Sequence, residues 1–123
     1  MMRRRKLTLL ALVLVAMLVL AAQAMGVKRS STLVVKSLNG GGASGRVNSA
    51  AACEAGRTLK VKVSVGGSRP YLVGSPRTDS EGRWQIKKGL PRGSYSLKVK
   101  RLVIDRGKQG RIVCLPDSAA AGF

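Results

Sequence analysis

The sequence predicts an all-β chain: one antiparallel β-sandwich of about seven strands behind an N-terminal hydrophobic segment. Three observations carry this expectation. Apolar residues alternate with polar ones along several short runs. Turn sequences rich in Gly, Pro, Asn and Asp separate those runs at intervals near ten residues. Beyond the hydrophobic segment, no apolar stripe at the helical period lasts longer than about two turns.

The start of the chain has the order of an export signal. Arg3, Arg4, Arg5 and Lys6 form a compact cationic cluster, and Leu7–Ala22 follows with no charge and Thr8 as its one polar residue. Ala22-Gln23-Ala24 then offers the small-x-small pattern that a signal peptidase pocket admits. Residues 1–24 are therefore expected to be a signal peptide, or an anchor if they are not cleaved. A run of this length lies at the lower edge of what spans a bilayer of roughly 30 Å. The rest divides into an N-terminal strand and Gly-rich loop (25–43), a sandwich domain (44–117) and a flexible tail (118–123). The expected location is secreted or at the surface of a bacterial cell.

Composition narrows the chemistry. Lys and Arg number 23 against 5 Asp and Glu, a formal net charge of +18, and +14 without the four cations of the leader. A domain this small buries a modest core and benefits from a covalent staple in an oxidising compartment. Cys53 and Cys114 are the chain's two cysteines. An even count after an export signal reads as one intramolecular disulfide, and closing so long a loop stabilises the fold by up to ~4 kcal/mol in the chain-entropy model. A thiol metal or redox site would need further ligands, and the sequence has neither His nor a Cys-x-x-Cys pair.

The clearest strand is Leu59, Val61, Val63 and Val65 alternating with Lys60, Lys62 and Ser64. It reads as half-buried with a basic outer face. Trp84 and Ile86 alternate with Arg83, Gln85 and Lys87, and Tyr95, Leu97 and Val99 alternate with Ser96, Lys98 and Lys100. Shorter candidates are Thr32–Lys36, Ser44–Asn48, Tyr71–Ser75, Leu102–Ile104 and Gly110–Cys114. Residues 25–31 read as a frayed start, and the Ala-rich 118–123 as a frayed end. Between the strands, Asn39–Gly42 and Gly66–Pro70 are turn-forming, and Asp79-Ser80-Glu81-Gly82 has the Asp-first, Gly-fourth preference of a type I turn. Leu90-Pro91-Arg92-Gly93 repeats that logic and is expected to make the next hairpin.

Two of these segments carry a resemblance. Thr78-Asp79-Ser80-Glu81-Gly82-Arg83-Trp84-Gln85-Ile86, followed by Leu90-Pro91-Arg92-Gly93-Ser94-Tyr95-Ser96-Leu97-Lys98-Val99, resembles the signature of carboxypeptidase regulatory-like domains. These are Ig-like, prealbumin-like (transthyretin-like) sandwiches related to the B-type repeats of collagen adhesins. Gly45-Arg46-Val47 fits their opening strand, and Cys53 with Cys114 matches a pair seen in small secreted versions. The resemblance covers roughly residues 44–115, and the chain departs from it soon after Cys114, where related domains add a last strand. It implies an accessory, structural or adhesive module with no catalysis. The histidine-dependent enzymes on related sandwiches do not carry over to a chain without His, nor does the late Asn of isopeptide-forming adhesins.

The residues themselves point the same way. Asp79 reads as the cap of its own turn and Glu81 as exposed, which leaves no paired-carboxylate site. Gly40-Gly41-Gly42 is followed by no Gly-Lys-Ser/Thr and no helix. No enzyme activity, cofactor, metal or small-molecule substrate is expected. The remaining clue is charge: Lys60, Lys62, Arg83, Lys87, Lys88, Lys98, Lys100 and Arg101 fall mostly at outward strand positions. Shared on one face they would attract anionic polymers in a salt-dependent way. Alternatively they are solvated surface, and Lys at sheet edges also blocks edge-to-edge pairing. The expected partner is a cell-surface protein or an anionic polymer (wall polymer, acidic polysaccharide, DNA or lipid headgroups), with a membrane otherwise engaged only through an uncleaved leader. Trp84 and Tyr95 are expected to face the core.

With the leader removed, intact mass and N-terminal sequencing of the exported protein should both place its start at Met25. An intact Met1 would instead mark an anchor.

Overall fold

The computed structural model describes residues 26–123, so the expected leader lies outside the described residues. The described chain is strand-rich, with two short 3-10 turns, Ala51–Cys53 and Gly107–Gln109. Its strands are β1 (Val27–Arg29), β2 (Ser31–Asn39), β3 (Gly42–Ser49), β4 (Leu59–Ser64), β5 (Tyr71–Gly74), β6 (Arg83–Ile86), β7 (Ser94–Val99), β8 (Leu102–Asp105), β9 (Arg111–Cys114) and β10 (Asp117–Gly122). Eight coincide with the alternating or apolar runs of the sequence. The count exceeds the expected seven because all eight candidate runs form strands and both ends read as frayed are paired.

The chain divides into two compact units. The smaller takes residues 26–28 and Val103–Val113 and is built on a sheet in the order β1-β9-β8. Its β8–β9 connection is closed by Arg106 N–H donating to Gly110 O (2.9 Å) and by Asp105 Oδ1 accepting from Gly107 N–H (2.9 Å). The larger unit, Arg29–Leu102 with Cys114–Phe123, holds a four-stranded sheet, β10-β7-β4-β5, and a three-stranded sheet, β2-β3-β6. All neighbouring strands within those two sheets run antiparallel.

One core serves both sheets of the larger unit. Leu59, Val61 and Val63 of β4 and Tyr95, Leu97 and Val99 of β7 meet Leu33, Ala43, Val47, Trp84 and Ile86 from the other sheet, all buried. Two sheets enclosing one apolar layer are compatible with a β-sandwich. Gly45 explains how the large Trp84 ring fits. The two residues are cross-strand partners, and a Cβ at position 45 would come within 2.6 Å of the indole. Tyr95 is 2 % exposed and its hydroxyl donates to Pro91 O; burial, then the nearby Tyr71, pushes its phenol up.

Three expectations need correction. β2 pairs with β3 along nearly its whole length, so the domain boundary drawn at 43/44 cuts a hairpin. The segment read as a flexible tail, 118–123, lies largely in β10, which pairs with β7 through all six of its residues. Phe123 then stacks on Tyr95 with ring centroids 6.0 Å apart. An Ala-rich segment becomes a strand here because β7 offers an otherwise open edge and Tyr95 a ring to cover. Finally, Pro91–Gly93 makes no hairpin. It carries the chain from β6 in one sheet to β7 in the other, and Gly93 N–H donates to Phe123 O (3.2 Å).

Near the chain's covalent staple lies an ion the alternation conceals. Cys53 and Cys114 form the expected disulfide, with Cα atoms 5.5 Å apart. Beside it Arg57 is fully buried, at 0 % exposure. Its Nη1 donates to Cys53 O (2.9 Å) and Ser31 Oγ (2.9 Å); its Nη2 donates to Lys100 O (3.0 Å) and Leu115 O (3.0 Å). The backbone is pinned too, with Arg57 N–H donating to Thr78 Oγ1 (2.7 Å) and Thr78 N–H to Arg57 O (2.9 Å). Among the described residues no carboxylate pairs with this guanidinium, and burial pushes it down from its ordinary value. Carbonyl dipoles offset the desolvation that an ion pair would normally meet.

Arg57→Met keeps the approximate volume and leaves one buried carbonyl, of Cys53, and two part-buried ones, of Lys100 and Leu115, without this donor. At about 1–3 kcal/mol for each orphaned group, the variant should lose several kcal/mol in denaturant titration. Stability equal to the parent would show the cage to be dispensable.

Candidate functional site

The outer face of the four-stranded sheet is where the sequence-predicted cations converge. In β4 and β7, Leu59, Val61, Val63, Tyr95, Leu97 and Val99 point inward, which forces Lys60, Lys62, Ser96 and Lys98 outward. The register sets Lys60 directly opposite Lys98 and Lys62 opposite Ser96. One step further, Lys100 N–H donates to Thr58 O (3.0 Å), extending the ladder so that Lys100 continues the outward row. Opposite residues in such a pair hold their Cβ atoms about 5 Å apart, and successive outward positions are roughly 6.8 Å apart along a strand. Four lysines thus occupy three consecutive rungs.

Around them the surface is small and polar. Ser118 and Ala120 of β10 stand beside Lys98 and Ser96, and Leu72 of β5 stands opposite Lys62. Thr58 bridges to Arg77, which is exposed and whose side chain lines a hollow with Lys36, Asp79 and Arg83. Arg77 escaped the sequence reading because Ser75-Pro76 breaks the strand pattern ahead of it. Arg57 had a usable signal. It lies two before Leu59 and so falls in phase with the inward residues.

Every acidic residue of the described chain is engaged elsewhere. Glu54 faces Arg46 (3.9 Å), Asp79 and Glu81 face Arg83 (3.2 and 3.0 Å), Asp105 caps its own loop, and Asp117 Oδ2 accepts from Leu33 N–H (2.7 Å). Nothing neutralises the lysine face from within the described residues. Like charges set directly opposite are destabilising, so the Lys60–Lys98 rung works against the sheet until a counter-ion joins it. Edge protection does not explain these lysines, because β4 and β7 are the two central strands of their sheet.

The other predicted contacts fall outside this face. Arg83 is on β6 of the other sheet, held between Asp79 and Glu81. Lys87 and Lys88 follow β6, where Leu90 N–H donates to Gly40 O (3.2 Å). Arg101 lies past the end of β7, exposed, in phase with the inward residues and so out of the row of lysines. Among the described residues, no three of His, Cys, Asp and Glu gather as metal ligands.

The Asp79 turn is built as its sequence suggests. Asp79 Oδ1 accepts from Arg83 N–H and Glu81 N–H, both at 2.9 Å, and Gly82 N–H donates to Asp79 O (3.1 Å). The Arg83 N–H bond is the main cause holding the Asp79 carboxyl below its ordinary range. No protein-family model matches the chain, and no curated protein matches its sequence.

A carboxyl held low in the folded state contributes stability above its unfolded value, near about 3.9. That contribution is lost as pH falls through the folded value. NMR titration should find Asp79 below the ordinary range, and Asp79→Asn should flatten the acid limb of stability against pH. A carboxyl titrating at the ordinary value would contradict the cap.

Proposed function

We propose that this chain is an exported, non-catalytic β-sandwich that binds extracellular anionic polymers or surfaces through the outer face of its four-stranded sheet. The observation that carries the reading is the uncompensated rung of Lys60 and Lys98, flanked by Lys62 and Lys100 with no acid among them. Such a face raises the local concentration of anions and binds by releasing their counter-ions. Flanking hydroxyls of Thr58, Ser96 and Ser118 add neutral hydrogen-bonding partners, and no aromatic ring stands in the rows for a base to stack on. Export is supported by the leader and by the disulfide, which persists in oxidising compartments.

A second reading keeps the same fold for a different use, as an accessory module of the carboxypeptidase regulatory-like, prealbumin-like kind acting through protein contacts. What supports it is the capped Asp79 turn between strands, with Trp84 and Tyr95 in one core.

Salt elution separates the two. The processed protein on heparin-type and DNA columns should elute above the physiological ~0.15 M, with log affinity falling linearly in log salt. Replacing Lys60, Lys62, Lys98 and Lys100 by Ser should abolish that retention. Elution of the parent at low salt would overturn the polyanion reading and leave the accessory module.

A further inference from the structure

Five large hydrophobic side chains are exposed among the described residues, and three of them belong to one hairpin: Val65, Tyr71 and Leu72, at 39, 48 and 52 %. This is the β4–β5 hairpin, the same β4 that supplies Lys60 and Lys62. Leu72 stands directly opposite Lys62, and Arg69 is exposed in the connection. Leu72 therefore borders the cationic face, while Tyr71, the partner of Val63, and Val65 follow the inward phase and stand exposed where the core ends at the same tip of the sheet.

The tip is preorganised. Gly66 and Gly67 both take positive φ (59° and 74°), the requirement of a type I′ turn, and Ser68 N–H donates to Val65 O (3.1 Å). Val65 N–H donates to Ser68 Oγ (3.2 Å), and Ser64 Oγ donates to Ser68 O. The backbone groups of Val65 and Ser68 are thus paired inside the turn, which lowers the cost of placing it in an apolar boundary.

We infer that the anionic surface met by the lysine face is the headgroup layer of a lipid bilayer, into which the β4–β5 hairpin inserts Val65, Tyr71 and Leu72. The inference rests on the lysine face binding anions. A linear polyanion in water would answer the lysines and leave three apolar side chains in solvent. A layer of anionic headgroups over acyl chains answers both, since interfacial binding adds buried apolar area to attraction for anionic lipid. Tyrosine, apolar in body and polar at its hydroxyl, suits that boundary.

The test uses the processed protein with vesicles of phosphatidylcholine alone or with phosphatidylglycerol added, read by co-sedimentation. The parent should bind the anionic vesicles and ignore the neutral ones. V65S/Y71S/L72S should bind anionic vesicles at least about tenfold more weakly yet elute from the heparin-type column at the parent's salt. Replacing the four lysines by Ser should lose both. Leu72→Ser alone, outward on the sheet, should weaken vesicle binding in the same direction and serves if the triple variant does not fold. All variants share one amino terminus, so its processing does not enter the comparison. Hairpin variants that sediment like the parent, or a parent held by the column and not by vesicles, would overturn the lipid inference and leave the anion reading standing. A parent retained by neither would remove both.

Discussion

The buried guanidinium of Arg57 is the constraint on which the rest of the larger unit depends. Its four donor contacts reach Ser31 at the start of β2, Cys53 in the 3-10 turn, Lys100 beyond β7 and Leu115 ahead of β10. Those segments are far apart in sequence. A planar fork with fixed donor directions can hold four acceptors at once; a lysine ammonium has fewer donors and no such geometry. The disulfide ties two of the same segments covalently, joining Cys53 to the residue before Leu115. Orientation comes from the guanidinium and permanence from the sulfurs.

With that junction fixed, the register of β4 against β7 follows from their inner faces. Leu59, Val61 and Val63 must meet Val99, Leu97 and Tyr95, and a slip of one residue would turn the whole apolar set outward. The outer face is then free of structural duty. Lys60 can stand opposite Lys98 because burial on the other side outweighs a repulsion of under about 1 kcal/mol. The uncompensated charge is tolerated by the core and exposed to whatever lies outside.

Much of this was legible in the residues. Alternation located three strands and shorter runs five more, each to within a few residues; Asp79 and Gly82 announced their turn, and cysteine parity gave the disulfide. Partnership between strands was not legible, since no local pattern states that β6 and β7 lie in different sheets. Pro91 therefore looked like a hairpin residue when it spans two layers. β10 was invisible for another reason. Ser118-Ala119-Ala120-Ala121 has little strand preference of its own, and its conformation is imposed by the open edge of β7 and the ring of Tyr95. Within the candidate face, the lysines were found from sequence because they sit on strong alternating strands. Arg83 has the same outward phase as Lys60, yet its neighbours Asp79 and Glu81 neutralise it.

The position of β10 also sets a timetable. Cys114, Leu115 and Phe123 complete the disulfide, the guanidinium cage and the closing strand, and all three lie after the strands that need them. While earlier residues emerge from a ribosome, β7 has no neighbour on that side, Arg57 lacks an acceptor and Cys53 lacks its sulfur partner. Final closure must therefore await synthesis of this last segment. A chain built so is kept from locking into its native form until that segment has been made.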